Sequence, residues 1–199
     1  MSGRLIMCYD INRKAVGDVA ALAAARYARF HGMEFVVEPP PLNCSPWFYK
    51  VEAALQCRHS ELAIIIDADV VMRKPSVQNR PPFCKHLAVS LNWAGLCTGF
   101  LMSANTDKAV RLLETWRNVG ESVFMRYNNS PQDEASLKIL CDHFRWIDKA
   151  ITRIPTKLVS SPENGIKGTL AHHFVASAFP ERQTELALLM MALIKLDSQ

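Results

Sequence analysis

Apolar and polar residues follow two different periods along this chain, and the changes of period separate strands from helices. The first apolar run, Leu5 to Tyr9, has the length of a strand. Apolar residues then recur at helical spacing from Val16 to Phe30, and Gly32 follows where a left-handed residue commonly ends a helix. A second strand is predicted at Glu34 to Glu38, before three prolines. The N-terminal segment is therefore predicted to form a strand, a helix and a second strand.

The next two predicted elements are a helix and the most apolar strand of the chain. Ser45 and Pro46 form an N-cap and first-turn pair for a helix that carries Trp47 and Lys50. The run Ile64 to Ile66 has no polar interruption, which is typical of a central strand covered on both faces. Alternating strands and helices are the order of an α/β protein with a parallel sheet.

Further strands and helices are predicted downstream of Asp69. We therefore predict one α/β domain over residues 1–199, with a mainly parallel central sheet flanked by helices. The remaining predicted elements are strands at Leu87 to Leu91 and Leu96 to Met102, a helix capped by Asn105 or Thr106 and closed by Gly120, a helix opened by Ser130 and Pro131, the run Thr169 to Phe174, and a C-terminal helix built on Leu186, Leu189, Met190 and Leu193.

The composition fits a globular protein with one core. The chain has 199 residues, of which 49% are hydrophobic and 21% charged, which is enough for one substantial core and short for two. The net charge of +4 comes from scattered basic residues that form no stripe along which a nucleic acid could bind. We expect a small anionic ligand rather than a nucleic acid.

Cysteine usage and hydropathy give an expectation of the compartment. The six cysteines include no Cys-x-x-Cys pair and several lie in apolar runs, which favours reduced thiols over a disulfide framework. No apolar run is long enough to cross a bilayer, and no long apolar stretch opens the chain. We expect a soluble, cytoplasmic protein without a membrane span.

Two carboxylates follow the isoleucine strand directly. Asp67 and Asp69 lie one residue apart, where the carboxyl end of a strand in an open α/β sheet receives ligands. Two buried like charges need a cation or basic partners, and carboxylate oxygens select hard cations such as Mg²⁺ or Mn²⁺, which also bind phosphate oxygens. The segment predicts a metal site for a nucleotide or sugar phosphate. The competing interpretation is a strand followed by an acidic turn.

Five short motifs stand in order along the chain. They are Trp47-Phe48-Tyr49-Lys50, Ile66-Asp67-Ala68-Asp69, Thr98-Gly99-Phe100 with the following Leu112-Leu113-Glu114-Thr115-Trp116, Gln132-Asp133, and Gly168-Thr169-Leu170-Ala171-His172-His173-Phe174. In this order they resemble the galactosyl- and xylosyltransferases of the Golgi mannan and xyloglucan type, a GT-A fold group of nucleotide-sugar transferases. The chain departs from that pattern in the later position of Lys50, in Thr169 where the family has aspartate, and after Phe174.

The resemblance implies a metal site with three protein ligands. Asp67, Asp69 and His173 would hold one divalent cation, Mn²⁺ or Mg²⁺, which bridges the two phosphates of the donor. The family histidine aligns with His173, and His172 is the alternative. A mixed oxygen and imidazole set favours Mn²⁺ over Ca²⁺. The resemblance implies no organic cofactor.

The resemblance also implies a donor site around these ligands. Tyr9 and Asp10 would receive the nucleoside, Lys50 would support Asp67 or the diphosphate, and Thr98 and Gly99 would line the sugar pocket. The alternatives are a strand-to-loop junction at Tyr9 and Asp10, an exposed helical lysine, and a bulged core strand at Gly99.

Gln132 and Asp133 would lie near the anomeric carbon and the acceptor. Asp133 also stands three residues after Ser130, as a capping box requires. The resemblance implies transfer of a UDP-linked hexose or pentose to a glycan or other hydroxyl acceptor with retention of configuration. Either Asp133 acts as a nucleophile or the leaving diphosphate takes the acceptor proton, and both alternatives stay open.

Two other functions fit part of the sequence. In a haloacid dehalogenase-like phosphatase Asp67 would be the nucleophile and Asp69 the acid, but that motif belongs on a first strand and needs a downstream Gly-Asp-x-x-x-Asp that is missing here. A catalytically inactive nucleotide-sugar-binding domain would account for Thr169.

Overall fold

The structure is a computed structural model, and it describes residues 2–9, 11–38, 48–57, 59–92, 95–124, 132–160, 168–174 and 183–198. Strands and helices alternate up to Asp67, as the hydrophobic pattern predicts. The strands are β1 (Gly3–Cys8), β2 (Glu34–Glu38), β3 (Leu62–Asp67), β4 (Val70–Met72), β5 (Leu87–Asn92), β6 (Gly95–Ala104), β7 (Ile151–Ile154), β8 (Val159–Ser160) and β9 (Ala171–His173). The helices are α1 (Lys14–Phe30), α2 (Tyr49–Gln56), α3 (Asp107–Phe124), α4 (Gln132–His143), α5 (Arg145–Asp148) and α6 (Gln183–Leu196), with short 3₁₀ turns at Ile11–Arg13 and Val77–Asn79.

The larger sheet has the strand order β2-β1-β3-β6-β5-β7. Among its described strands, β6 alone runs against its neighbours, and the others share one direction. Because β6 is reversed, its first residues lie beside the carboxyl end of β3. The fold is therefore α/β with a mostly parallel sheet between helices, which confirms the predicted fold class.

A second, smaller sheet lies beside the end of β3. Its strand order is β4-β9-β8, with β9 antiparallel to β4 and parallel to β8. The chain leaves β3 at Asp67, turns through Ala68 and Asp69, and enters the small sheet at Val70. The two carboxylates therefore lie on the turn that joins the two sheets.

The larger sheet is buried on both faces, because two apolar clusters cover it. One cluster packs α1 and α6 against alternate residues of β1 and β3, such as Leu5 and Ile64. The other packs α2, α3 and α4 against the intervening residues, such as Ile6 and Ile65. An uninterrupted Ile64 to Ile66 run suits this position, since every side chain of the strand meets a core.

Two predicted helix features are wrong in detail. Gly120 does not close its helix, because α3 continues to Phe124 and Phe48 packs where a Cβ on Gly120 would be, about 2.1 Å from its ring. Leu189 is not a core residue of α6, since it is 61% exposed, while Met190 and Leu193 are buried. Thr106 caps α3, as its Oγ1 accepts a hydrogen bond from the Ala109 amide at 3.1 Å.

The cysteines that the structure describes are free. Cys44 lies outside the described residues, as do Ser45, Pro46 and Trp47. Within the described residues, none of the helices combines the length and the hydropathy that a membrane span requires.

Candidate metal and donor site

The turn at the end of β3 is tied to β9 by strand pairing. Val70 pairs with His173 across the antiparallel β4–β9 ladder. The Phe174 amide then donates a hydrogen bond to the Asp69 carbonyl oxygen at 2.9 Å. This register places His173 beside the two aspartates, although the sequence separates them by about a hundred residues.

Asp67, Asp69 and His173 form a group that could hold a metal ion. Each offers a ligand atom within 4.8 Å of the others. His173 Nε2 lies 3.3 Å from Asp69 Oδ1, and the side chains of His173 and Asp69 are only 10% and 13% exposed. Two carboxylates and one imidazole are a donor set suited to Mn²⁺, so the residues fit the predicted ion.

The neighbouring histidine has a different partner. His172 Nδ1 and the Ser160 hydroxyl lie 2.7 Å apart, and Ser160 Oγ also accepts a hydrogen bond from the Gly168 amide at 2.9 Å. Consecutive residues of a strand point to opposite faces. His172 therefore contacts Ser160 within the small sheet, whereas His173 lies beside the two aspartates. Among the residues that the structure describes, His173 and not His172 groups with the two aspartates.

The His173 ring is held from the β6 side. A Cβ on Gly99 would lie 2.3 Å from His173 Cε1, so the ring fits against bare backbone. Cys97 Sγ lies 3.3 Å from His173 Nδ1. A glycine inside a strand often marks the close approach of another group. At Gly99 that group is the His173 ring.

Lys50 lies at the centre of a buried polar network. Its Nζ is 2.8 Å from Asp67 Oδ1 and 3.0 Å from Asp133 Oδ2. It also donates to the Thr98 carbonyl at 3.3 Å, and the Thr98 hydroxyl donates to Asp133. Lys50 is 4% exposed and Asp133 2% exposed. Lys50 is therefore not the exposed helical lysine of the alternative interpretation.

The charges of this network explain the shifted pKa values of its members. Burial alone lowers the pKa of Lys50, but Asp133 and Asp67 outweigh it and the pKa lies well above its usual value. Burial likewise lowers the pKa of His173, yet Asp69 raises it well above the ordinary range. Burial raises the pKa of Asp67, against the stabilising charge of Lys50. The ammonium group is thus the counterion of two carboxylates.

The first turn of α4 positions Asp133. The Trp116 indole nitrogen donates to the Asp133 carbonyl at 3.1 Å, and the Ser136 hydroxyl donates to the same oxygen at 3.0 Å. The carboxylate meanwhile faces Lys50 and Thr98. Ser130, the cap of the alternative interpretation, and the side chain of Gln132 lie outside what the structure describes.

Tyr9 stands apart from this network. Its hydroxyl donates to Asp18 at 2.8 Å, and its ring lies over Gly17, where a Cβ would approach to about 2.6 Å. The side chain is thereby held on α1 at the carboxyl end of β1. Asp10 lies outside the described residues.

The sequence did not indicate that two further residues, Cys97 and Glu134, lie beside this group. Cys97 is 2% exposed. Glu134 accepts a hydrogen bond from the Thr98 amide at 3.2 Å. Their positions next to Thr98 and Asp133 were the available signal, but only the fold shows that β6 and α4 face each other here.

Comparison with known proteins identifies the fold. No protein-family model and no curated protein matches the chain. A solved glycosyltransferase involved in the glycosylation of the major capsid of PBCV-1 is similar at a TM-score of 0.71 and 12% identity, covering 96% of this chain and 100% of that one. The glycosyltransferase GlyE of Streptococcus pneumoniae TIGR4 is similar at a TM-score of 0.61 and 11% identity, covering 97% of this chain and 62% of that one.

A further solved structure covers both chains almost completely. The galactosyltransferase LgtC, in complex with donor and acceptor sugar analogs, is similar at a TM-score of 0.50 and 16% identity, covering 94% of this chain and 95% of that one. At these identities the likeness establishes the fold, which is the GT-A glycosyltransferase fold. It does not establish membership of the mannan and xyloglucan family.

Proposed function

We propose that this chain is a metal-dependent glycosyltransferase that moves a hexose or pentose from a nucleotide sugar, UDP-linked, to a hydroxyl acceptor with retention. The observation that carries the proposal is the meeting of Asp67, Asp69 and His173 within 4.8 Å at the carboxyl end of β3. In an open α/β sheet that end receives ligands. The GT-A fold raises the expectation of this activity by analogy.

Asp67, Asp69 and His173 are the proposed ligands of Mn²⁺ or Mg²⁺. When bound, such an ion supplies Lewis acidity to a departing diphosphate. Asp67 has a second duty, because Lys50 Nζ contacts both of its oxygens, at 2.8 and 3.0 Å. Lys50 would therefore orient Asp67 and keep positive charge beside the donor phosphates.

Asp133 would act mainly by holding Lys50. Its carboxylate is 2% exposed and is occupied by an ammonium group and a hydroxyl. A nucleophile has to reach an anomeric carbon, which this packing does not favour, so we prefer the alternative in which the leaving diphosphate takes the acceptor proton. Tyr9 and Asp10 would bind the nucleoside, Thr98 and Gly99 the donor sugar, and Gln132 would lie near the acceptor.

The experiment is calorimetric titration of UDP into the protein with and without Mn²⁺, alongside Asp69→Asn. Asp148→Asn is the matched control, since Asp148 is an exposed carboxylate paired with Arg153. We expect UDP binding that requires both Mn²⁺ and Asp69 and that persists in the control. Radiolabelled UDP-hexoses and UDP-xylose, offered with simple sugar acceptors, then test transfer.

The same samples separate the other functions. Hydrolysis of a phosphate monoester that depends on Asp67 would support the phosphatase instead. UDP-sugar binding without transfer or donor hydrolysis would support an inactive binding domain. Absence of UDP binding in wild type under both conditions, with GDP equally inert, would overturn the proposal.

A further inference from the structure

Cys97 and His173 form a buried pair at the edge of the proposed metal site. Cys97 Sγ and His173 Nδ1 are 3.3 Å apart, and Cys97 is 2% exposed. The other ring nitrogen, Nε2, faces Asp69 Oδ1 at 3.3 Å. The imidazole therefore lies between a thiol on one side and a carboxylate on the other.

Glu134 extends this row beyond the thiol. Its carboxylate accepts a hydrogen bond from the Thr98 amide at 3.2 Å, on the residue that follows Cys97. Burial raises the pKa of Glu134, and the Cys97 side chain is among the groups that lower it by favouring the charged carboxylate. A carboxylate only accepts, so a Cys97 S–H directed at Glu134 leaves the sulfur to accept from His173. In that arrangement the donated protons run from the His173 ring to Cys97 and from Cys97 to Glu134.

The ring nitrogens have separate duties when a histidine binds a metal. One presents a lone pair, and the other carries a proton that it usually donates to a carboxylate, a carbonyl or water. A thiol that donates its own proton to another group can accept this hydrogen bond from the ring N–H. It would keep the proton on Nδ1 and leave Nε2 directed at Asp69.

We infer that Cys97, held by Glu134, positions His173 for metal binding by accepting its Nδ1–H. The inference rests on the proposed function for the presence of a metal at this site. Cys97 and Glu134 are positioning residues, since they act through the His173 ring. Gly99 completes the arrangement, as its missing Cβ leaves the space in which the ring stands.

The structural alternative gives both residues ordinary roles. Glu134 lies in the first turn of α4, where a negative charge suits the helix dipole, and Cys97 is a core residue. On that alternative their removal lowers the stability and leaves the metal affinity unchanged. The two cases therefore differ in a measurement of affinity made beside one of stability.

The experiment measures Mn²⁺ affinity by the electron paramagnetic resonance signal of free Mn²⁺, on the full chain. Cys97→Ala and Glu134→Ala remove the two contacts, and Cys97→Ser restores a group that can both donate and accept. Cys141→Ala is the control, because Cys141 is a half-buried free thiol on α4 that does not touch His173 in the described residues. Chemical unfolding of each variant gives its stability.

We expect Cys97→Ala to bind Mn²⁺ about 10- to 100-fold more weakly, the range for lost support of a ligating histidine. Cys97→Ser should recover most of the affinity. Because Glu134 acts through Cys97, the double variant should lose no more than Cys97→Ala alone.

Three results would overturn the inference. Unchanged affinity in Cys97→Ala would show that the thiol does not position the ring. A stable Cys97→Ser that binds as weakly as Cys97→Ala would exclude the hydrogen bond as the cause. If wild type fails to bind Mn²⁺, the metal of the proposed function fails with it, which distinguishes that outcome from the other two.

Discussion

The imidazole of His173 stands where a Cβ on Gly99 would be, with only 2.3 Å between that Cβ position and Cε1 of the ring. Gly99 lies on β6 and His173 on β9, so the contact joins the large sheet to the small one. Only glycine leaves this space free. The identity of residue 99 therefore decides where a proposed metal ligand can lie.

Replacement of Gly99 by alanine should move the His173 ring. We expect Gly99→Ala to weaken Mn²⁺ binding by at least about tenfold, as for other losses of ligand orientation, measured by Mn²⁺ titration. Gly32→Ala is the control: its φ of +66° makes any Cβ strained, yet nothing lies within 4 Å of it. That control should lose about 1 kcal/mol of stability and keep the affinity. Equal affinity in both variants would show that the ring has room to adjust.

Loss of the Lys50 charge should be costly to the fold. Lys50→Met leaves Asp67 and Asp133 without their buried counterion, and breaking a buried ion pair costs about 3–5 kcal/mol. Urea unfolding of the metal-free protein measures the loss. The double variant Lys50→Met/Asp133→Asn should recover part of it, since one uncompensated carboxylate has been removed. A double variant that is simply additive would contradict the coupling.

The adjacent histidines should respond in opposite ways. His173→Ala should abolish Mn²⁺-dependent UDP binding, because it removes a proposed ligand. His172→Ala should preserve that binding but lose about 1–3 kcal/mol of stability, since it leaves the buried Ser160 hydroxyl without its ring partner. Calorimetry and thermal unfolding of the two variants check this. Metal dependence that follows His172 instead would reverse the assignment.

Acid should weaken the attachment of α6. Arg73 makes two hydrogen bonds of 2.7 Å with Asp197. Burial by itself raises the pKa of Asp197, but Arg73 and the Lys74 amide bring it below the usual value. A depressed carboxyl pKa contributes stability above the unfolded pKa of about 3.9 and loses it as the pH falls through the folded pKa.

Asp197→Asn should therefore be less stable than wild type by about 1.5–3 kcal/mol at neutral pH, the range for a hydrogen bond to a charged group. The difference should shrink below about pH 4 as wild type takes up the proton. Unfolding curves from pH 7 to acid measure it. A gap that stays constant with pH would mean that the ion pair does not stabilise the fold.

The sequence predicted the fold and the position of the aspartates because both depend on local patterns. The Ile64 to Ile66 run is apolar on both sides, so it marked the buried strand whose end carries Asp67 and Asp69. The resemblance added His173 to this pair, and the structure brings it to within ligand distance of both aspartates. The roles of all these residues remain proposals.

The residues that surround the proposed metal ligands could not be predicted from the sequence. Cys97 resembles any cysteine in an apolar strand, and Glu134 any acidic residue in the first turn of a helix. Gly99 was predicted to line a sugar pocket, but its contact with the His173 ring was not predicted. Each of these residues contacts a partner on an element that is distant in sequence. The periodicity of apolar and polar residues does not predict such contacts.

By itself the sequence determined the alternation of strands and helices up to Asp67, the burial of β3 and the placing of two carboxylates at its end, because side-chain period and backbone propensity act over a few residues. Tertiary structure alone decided that β6 runs antiparallel and that β9 pairs with β4. The β4–β9 pairing places His173 beside the two aspartates, and the packing of the helices on the sheet places Lys50 between Asp67 and Asp133. The pairing of strands distant in sequence decides which side chains lie together in the interior. Their closeness there decides which ion pairs and hydrogen bonds they form.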